Sequence, residues 1–353
     1  MARWNIHNVR LAGVSACVPK EIVRTEDFTF FNQEEAEVFN NTVGIRERRL
    51  GPSTLCASDL CQEAAEKLIE KLGWAKESID VLIFESVTGD YKTPPTSCIL
   101  QDRLGLSEDC FCVDIPMGCC GCMYAMNVAA NMLSNGDAHR ALLLIGDTAM
   151  RMGSMQDKSR VPLFGDSGTV IALEYDTTAE PMLIDFHTQG SGFKVLMTPH
   201  GGYRHPITPD SFIQEDFGNG IIRAPKDALI DGMAVFTFAI SKPAKTVVNL
   251  MAELGIDKDN DIDYFLIHQA NKLIVDRLVK KLKLPVEKVP YNLEKFGNTG
   301  PASLPLLMVT RLRDQLQQDK PTRILGSTFG LGLSWGTMLL NVKNVVIPEL
   351  IEI

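Results

Sequence analysis

Short apolar runs alternate along this chain with stretches whose apolar residues recur three and four positions apart. The runs at residues 80–86 (DVLIFES), 111–115 (FCVDI), 141–146 (ALLLIG) and 263–267 (DYFLI) are too short for buried helices and predict buried strands. Further strands are expected over 8–19, ending at Pro19, over 169–175 behind the turn FGDSG, over 181–186, over 323–328, and over 333–342 after the turn FGLG. Residues 58–72 place Leu60, Ala64, Ala65, Leu68, Ile69 and Leu72 at helical spacing and stop at Gly73. Residues 98–104 predict a short helix closed by Gly105, and 272–284 a basic amphipathic helix. Residues 122–133 predict a helix apolar on nearly every side and therefore buried. Pro301 opens a helix over 300–316, and Pro243 kinks a long apolar helix over 231–254. Residues 26–41 read as a short helical excursion and 44–50 (GIRERRL) as a basic surface segment.

Strands and helices alternate throughout, which predicts an α/β fold with mainly parallel sheet. Two segment pairs indicate an internal duplication. IDVLIFES at Ile79 matches IDYFLIHQ at Ile262, and FGDSGTVIAL at Phe164 matches FGLGLSWGTMLL at Phe329. The expected division is 1–176 and 177–353, with the site where strand C-termini of the two halves meet.

Between the strand at 111–115 and the buried helix, Pro116, Gly118 and Gly121 break the pattern, and a cysteine pair, Cys119–Cys120, sits in the turn. The first N–H groups of a helix lack partners and its dipole favours negative charge there, so a thiol at this point is expected to ionise more readily. The alternative is that these cysteines are small apolar core residues. Composition narrows the chemistry. A net charge of −9 argues against a nucleic-acid partner. No apolar run approaches the ~18 residues of a membrane span. The first residues lack the apolar core of an export signal, so a cytoplasmic protein with its nine cysteines reduced is expected. The cysteines have no nearby histidine, and the segment that carries most of them reads as a strand plus a buried helix, which argues against zinc.

Two other segments carry candidate chemistry at strand ends or helix starts: IHQAN, with His268 just past a buried strand, and FGNTGPAS, with Asn298 in a glycine-rich loop. Cysteine, histidine and asparagine in that order also describe papain-like proteases, but those keep the cysteine near the mature N-terminus and are typically exported. The whole chain instead resembles the β-ketoacyl-acyl-carrier-protein synthase III family of thiolase-like condensing enzymes. The resemblance rests on GIRERR (44–49), DIPMGCCGCMYAM (114–126), FGDSGTVIAL (164–173), GMAVFTFA (232–239), IHQAN (267–271), FGNTGPASLP (296–305) and FGLGLSWGTMLL (329–340).

That resemblance implies two βαβαβαββ halves in a five-layered αβαβα sandwich, usually a homodimer, with no metal or other cofactor. The family's nucleophile falls on Cys119, five residues after Asp114 and two before Gly121, and its histidine and asparagine fall on His268 and Asn298. The implied reaction loads an acyl group from a thioester on Cys119. A malonyl thioester on acyl carrier protein then loses CO2, and the resulting enolate, held by His268 and Asn298, attacks the acyl-cysteine. Backbone N–H groups of Cys119 and Leu331 form the implied second oxyanion hole. Substrate contacts are implied at Thr93, Lys158 and Asn271, and carrier docking at Lys272, Arg277 and Lys280. The chain departs from the family where a Trp and an Arg that hold the CoA nucleotide become Val38 and Thr42, an Arg becomes Lys158, an acyl-pocket Phe becomes Thr93, and the middle of three glycines becomes Leu331. These departures leave acyl-CoA and acyl-carrier-protein donors both open, together with an unusual acyl group. The rival reading is an acyltransferase of the same fold that passes the acyl group to a hydroxyl or amine, with His268 as general base.

Overall fold

The computed structural model describes residues 2–353. Its principal strands are β1 (Ala2–Ile6), β2 (Val9–Val18), β3 (Val81–Glu85), β4 (Phe111–Ile115), β5 (Arg140–Asp147), β6 (Ser167–Tyr175), β7 (Met182–Thr188), β8 (Tyr264–Ile267), β9 (Thr322–Gly330), β10 (Ser334–Val342) and β11 (Ile351–Glu352). The principal helices are α1 (Gln33–Val43), α2 (Ala57–Leu72), α3 (Thr96–Arg103), α4 (Gly121–Leu133), α5 (Gly232–Ala239), α6 (Lys242–Glu253), α7 (Lys272–Leu282) and α8 (Ser303–Arg311). One sheet runs β11-β2-β6-β5-β3-β4 and the other β1-β7-β10-β9-β8. Both are mixed rather than mainly parallel. β3 lies parallel to β4 and β5, and β8 parallel to β9, while β6 and β10 run antiparallel to their neighbours. The turns after β5 and β9 return the chain directly beside the strand it left, which reverses its direction. The chain ends cross between halves: β1 pairs with β7, and β11 with β2.

Strand periodicity explains the layering. Successive side chains point to opposite faces. In β5, Ala141, Leu143 and Ile145 face a central core while Leu142 and Leu144 face α2 and α3. In the other sheet Leu266, Ile324, Met338 and Leu340 face the same central core, whereas Phe265, Leu325 and Leu339 face α6 and α7. The central core is filled by α4 and α8, which lie between the two sheets. The order is therefore helix, sheet, helix, sheet, helix, and α4 is largely apolar because both its flanks are covered, with Val128 and Asn131 left on an exposed edge.

Three sequence expectations change. The helix expected over 231–254 is two helices broken at 240–241, with Pro243 in the first turn of the second, where a missing N–H costs nothing. The helix over 300–316 begins as a 3-10 turn and is interrupted after Arg311. GIRERRL is not a plain surface segment. Arg48 is fully buried, its guanidinium stacked 5.0 Å from the Phe28 ring and bonded to Thr25 Oγ1 at 3.0 Å.

α2 lies close against the sheet at Gly168 of β6. A Cβ there would stand 2.6 Å from the Leu60 backbone carbon of α2, a clash with backbone that side-chain motion cannot relieve. Gly168→Ala is expected to lower unfolding free energy by about 1–3 kcal/mol through overpacking. Denaturant midpoints at constant m-value measure it, and an unchanged midpoint would show that α2 can shift.

Candidate active site

Cys119 sits in a 3-10 turn, Gly118–Cys120, that leads directly into α4. Gly118 takes φ +60, and the Leu331 side chain packs over it where a Cβ would otherwise project. Gly330 presses on Cys119 from the other half: a Cβ at Gly330 would lie 2.6 Å from Cys119 Cβ. In the 330–332 turn the positive φ falls on Gly332, so Leu331 replaces a glycine without backbone strain. Of the neighbouring cysteines, Cys120 is buried with its sulfur 3.1 Å from Thr328 Oγ1, and Cys122 is buried in the central core. Cys119 alone of the three lines a cavity.

That cavity, of about 400 Å³, gathers the three sequence candidates: Cys119, His268 and Asn298 all line it, with Asn271 at the start of α7. Most of the rest of its wall is apolar, including Met233, Phe236 and Phe238 of α5. His268 follows β8 and its backbone N–H donates to Ser327 C=O at 2.9 Å. Its Nδ1 lies 2.7 Å from Ser303 Oγ, at the first residue of α8, and its ring meets Phe329 edge-on. Burial pushes its pKa down to about 4, so the ring is neutral near pH 7. Asn298 is fixed by its backbone, which donates to Leu163 C=O at 2.8 Å and accepts from Gly165 N–H at 3.1 Å. The two glycine-rich motifs thus brace each other. Asn298 Oδ1 accepts from Gly300 N–H at 2.9 Å, which orients the amide and leaves Nδ2 for the cavity.

The expected lowering of the nucleophile's pKa is reversed. Burial, followed by the charges of Asp147 and Glu85, pushes the Cys119 thiol up to about 12. Cys119 is partly exposed, but what it faces is the apolar cavity, so desolvation outweighs the helix terminus. Glu85 is fully buried under this turn, and a Cβ at Gly121 would overlap its carboxyl. Burial and then Asp147 push the Glu85 pKa well up. Ser303, Glu85 and Asp147 carried a sequence signal that periodicity alone does not weigh: a polar residue closing an apolar strand, or opening an apolar helix.

Other candidates lie apart. Thr93 is exposed in the β3–α3 connection. Lys158 does not line the cavity; its Nζ pairs with Glu35 of α1 at 2.7 Å and stands 5.0 Å from the Phe31 ring. Val38 and Thr42 are exposed on α1. Asn271 caps α7, accepting from Ile274 N–H at 2.9 Å. Lys272 is ion-paired with Asp276, whereas Arg277 and Lys280 are exposed. Among the described residues no cluster of three or more His, Cys, Asp or Glu side chains could hold a metal ion, and no helix is long and apolar enough to cross a membrane.

Duplicated α/β halves enclosing two buried central helices, with the cavity at their junction, are the thiolase-like fold. A family model for 3-oxoacyl-[acyl-carrier-protein] synthase III matches residues 113–192, and one for the C-terminal part of the same enzyme matches 251–342. The β-ketoacyl-[acyl-carrier-protein] synthase III of Rhodopirellula baltica is 32% identical over 355 residues, covering 95% of this chain and 99% of the relative. That of Phocaeicola vulgatus is 30% identical over 335 residues, covering 94% and 96%. A solved 3-oxoacyl-(acyl-carrier protein) synthase from Burkholderia xenovorans LB400 superposes with a TM-score of 0.92 at 35% identity, covering 99% of each chain. The chain belongs to the β-ketoacyl-acyl-carrier-protein synthase III family, whose members are acyltransferases of the condensing type.

The buried histidine sets a pH signature. Its folded pKa is about 4 against an ordinary 6.5. Below pH 6.5 the unfolded chain takes up a proton that the folded chain refuses, so stability from this site is fully present above that pH and is lost as pH falls toward 4. His268→Gln should remove that loss. Relative to the unsubstituted protein, the variant's unfolding free energy is expected to improve by about 3 kcal/mol between pH 7 and pH 4. Parallel pH profiles for the two proteins would mean that the imidazole titrates normally.

Proposed function

We propose that this chain catalyses decarboxylative Claisen condensation in two steps. In the first, Cys119 Sγ attacks an acyl thioester. The Sγ–C bond forms, the donor's C–S bond breaks, and the thiol proton ends on the departing sulfur. In the second, a malonyl thioester loses CO2 and its thioester oxygen takes up the negative charge as an enolate. That enolate carbon attacks the acyl-cysteine, and the resulting oxyanion is received by the N–H groups of Cys119 and Leu331 before the cysteine sulfur leaves.

The observation that carries this reading is the pair of neutral donors beside Cys119. With Nδ1 accepting from the Ser303 hydroxyl, the proton of the neutral imidazole is assigned to Nε2. Asn298 Nδ2 supplies the second N–H. Fixed neutral donors stabilise a developing enolate, whereas a base is needed for acyl transfer to a hydroxyl or amine. A histidine whose pKa is near 4 is a weak base, which favours condensation over that alternative.

We take residues 1–176 and 177–353 as the two repeats, supported by the matching strand orders β2-β6-β5-β3 and β7-β10-β9-β8. A homodimer is supported by the strongly exposed Phe193, Tyr203, Phe212 and Phe217. A reducing, cytoplasmic setting is supported by nine free cysteines.

The two steps separate by mutation. Cys119→Ala should give no acyl adduct by intact mass, while Cys120→Ala and Cys122→Ala still load. Asn298→Ala should load normally yet release CO2 from malonyl thioester about 10²–10³-fold more slowly. Equal loss of both activities would remove the role given to Asn298.

Carrier docking is assigned to the exposed face of α7, centred on Arg277 and Lys280 with Lys272 at its edge. An acidic carrier would be steered by these cations, and the steering is screened over roughly 8 Å at physiological salt. Arg277→Glu with Lys280→Glu should raise KM for malonyl-carrier protein about tenfold at low salt, with little change for a small malonyl thioester. A matched effect on both substrates would move docking elsewhere.

A further inference from the structure

Two cavities meet at Cys119 and divide the space around it. The larger, of about 400 Å³, is also lined by His268 and Asn298. The smaller, of about 70 Å³, is lined by neither and has Val87, Met152 and Leu331 in its wall instead. Phe164, Leu196 and Ile230 line both and form a partition between them. The two cavities share Cys119 but end on different side chains.

Leu331 lines the smaller cavity and not the larger. Its place beside the nucleophile is set by the neighbouring turn. A Cβ added at Gly118, the residue before Cys119, would lie 2.4 Å from Leu331 Cδ1 and 3.6 Å from Val87 Cγ1, so both side chains converge on that glycine. Gly118 takes φ +60, which glycine adopts readily, and the Leu331 methyl occupies the room it leaves. The turn that carries Leu331 is braced in turn: Gly330 pairs with Ser334 across β9 and β10, and Ser334 Oγ donates to Leu331 C=O at 2.8 Å. A branched apolar side chain on a braced turn thus forms the cavity wall one residue from Cys119.

The two steps of the reaction assign the two spaces. Once Cys119 carries an acyl group, the incoming malonyl thioester needs the larger cavity, because the donors for its oxygen line that one. The acyl tail has to lie clear of it, and the smaller cavity also reaches Cys119. Its mostly apolar wall suits a saturated tail. A water molecule needs about 10–15 Å³ of such space and fills about 30 Å³ of liquid, so about 70 Å³ holds on the order of two to five non-hydrogen atoms. We propose that the smaller cavity is the acyl pocket and that the Leu331 side chain sets its limit, at acyl groups of about five carbons. The proposal rests on the loading of Cys119 described above and adds the acyl length that the site accepts and the residue that sets it.

The full-length protein is to be incubated separately with butyryl- and octanoyl-pantetheine, and initial rates of adduct formation followed by intact mass. Butyryl is expected to load at least about tenfold faster than octanoyl, the scale of forcing extra methylenes into a packed site. Leu331→Ala keeps the backbone N–H and removes the side chain beyond Cβ, and it should reduce the ratio to about threefold or less. Phe236→Ala widens the larger cavity alone and should leave the ratio at about tenfold or more. Octanoyl loading as fast as butyryl, or faster, in the unsubstituted protein overturns the inference, whether or not the variants fold. A ratio undiminished in a folded Leu331→Ala variant overturns the assignment to Leu331. Relief of the limit by Phe236→Ala puts the tail in the larger cavity and overturns the inference as well. These outcomes leave the loading step standing, whereas the absence of an adduct from both thioesters defeats that step and the inference with it.

Discussion

Two helices buried between two sheets set the terms for everything else in this protein. α4 and α8 are largely buried, with Val128 and Asn131 of α4 left exposed, and their first turns end inside the molecule, where unpartnered N–H groups must be met by something other than solvent. The chain meets this demand with small residues at the contacts. Gly121 leaves room for the Glu85 carboxyl, Gly118 for Leu331, and Gly330 for Cys119. The Cys119 turn is therefore clamped between the two halves at Gly118 and Gly330, and a side chain added at either would press on the opposite half.

The same enclosure governs the charges. A helix N-terminus stabilises an anion by about 0.3–1 kcal/mol, or ~2 kcal/mol in favourable buried geometry. Moving the Cys119 pKa from 9 to about 12 corresponds to about 4 kcal/mol in the opposite sense. Desolvation wins, and the resting enzyme carries a thiol. The low dielectric that opposes the thiolate also keeps His268 uncharged.

Recognition is separated from this core. The polar groups that line the cavity come from strand ends and helix starts, where backbone hydrogen bonds hold them. Asn298 is held by Leu163 and Gly165, and His268 by Ser327 and Ser303. The cations Arg277 and Lys280 are on the exposed side of α7. Lys158 is tied to Glu35 of α1 by an ion pair.

The amino-acid sequence by itself determined the alternating elements, the duplication and the three residues of the cavity, because apolar periodicity and glycine punctuation are local properties and the motifs lie at element ends. It determined that β3 and β5 are buried on both faces, since runs such as DVLIFES leave no polar side, but FCVDI reads alike and forms the half-exposed edge strand β4, because nothing local records that no strand pairs beyond it. Only the tertiary structure decided the direction of β6 and β10, which depends on which neighbour each strand meets after its turn. It alone decided the ionisation of Cys119, because local position favours the thiolate and only distant packing removes water and brings Asp147 and Glu85 near. It likewise buried Arg48 in what reads locally as a charged surface segment, where Phe28 and Thr25 replace its solvent. Charge state and strand partner are set by neighbours far apart in sequence, and no local pattern records them.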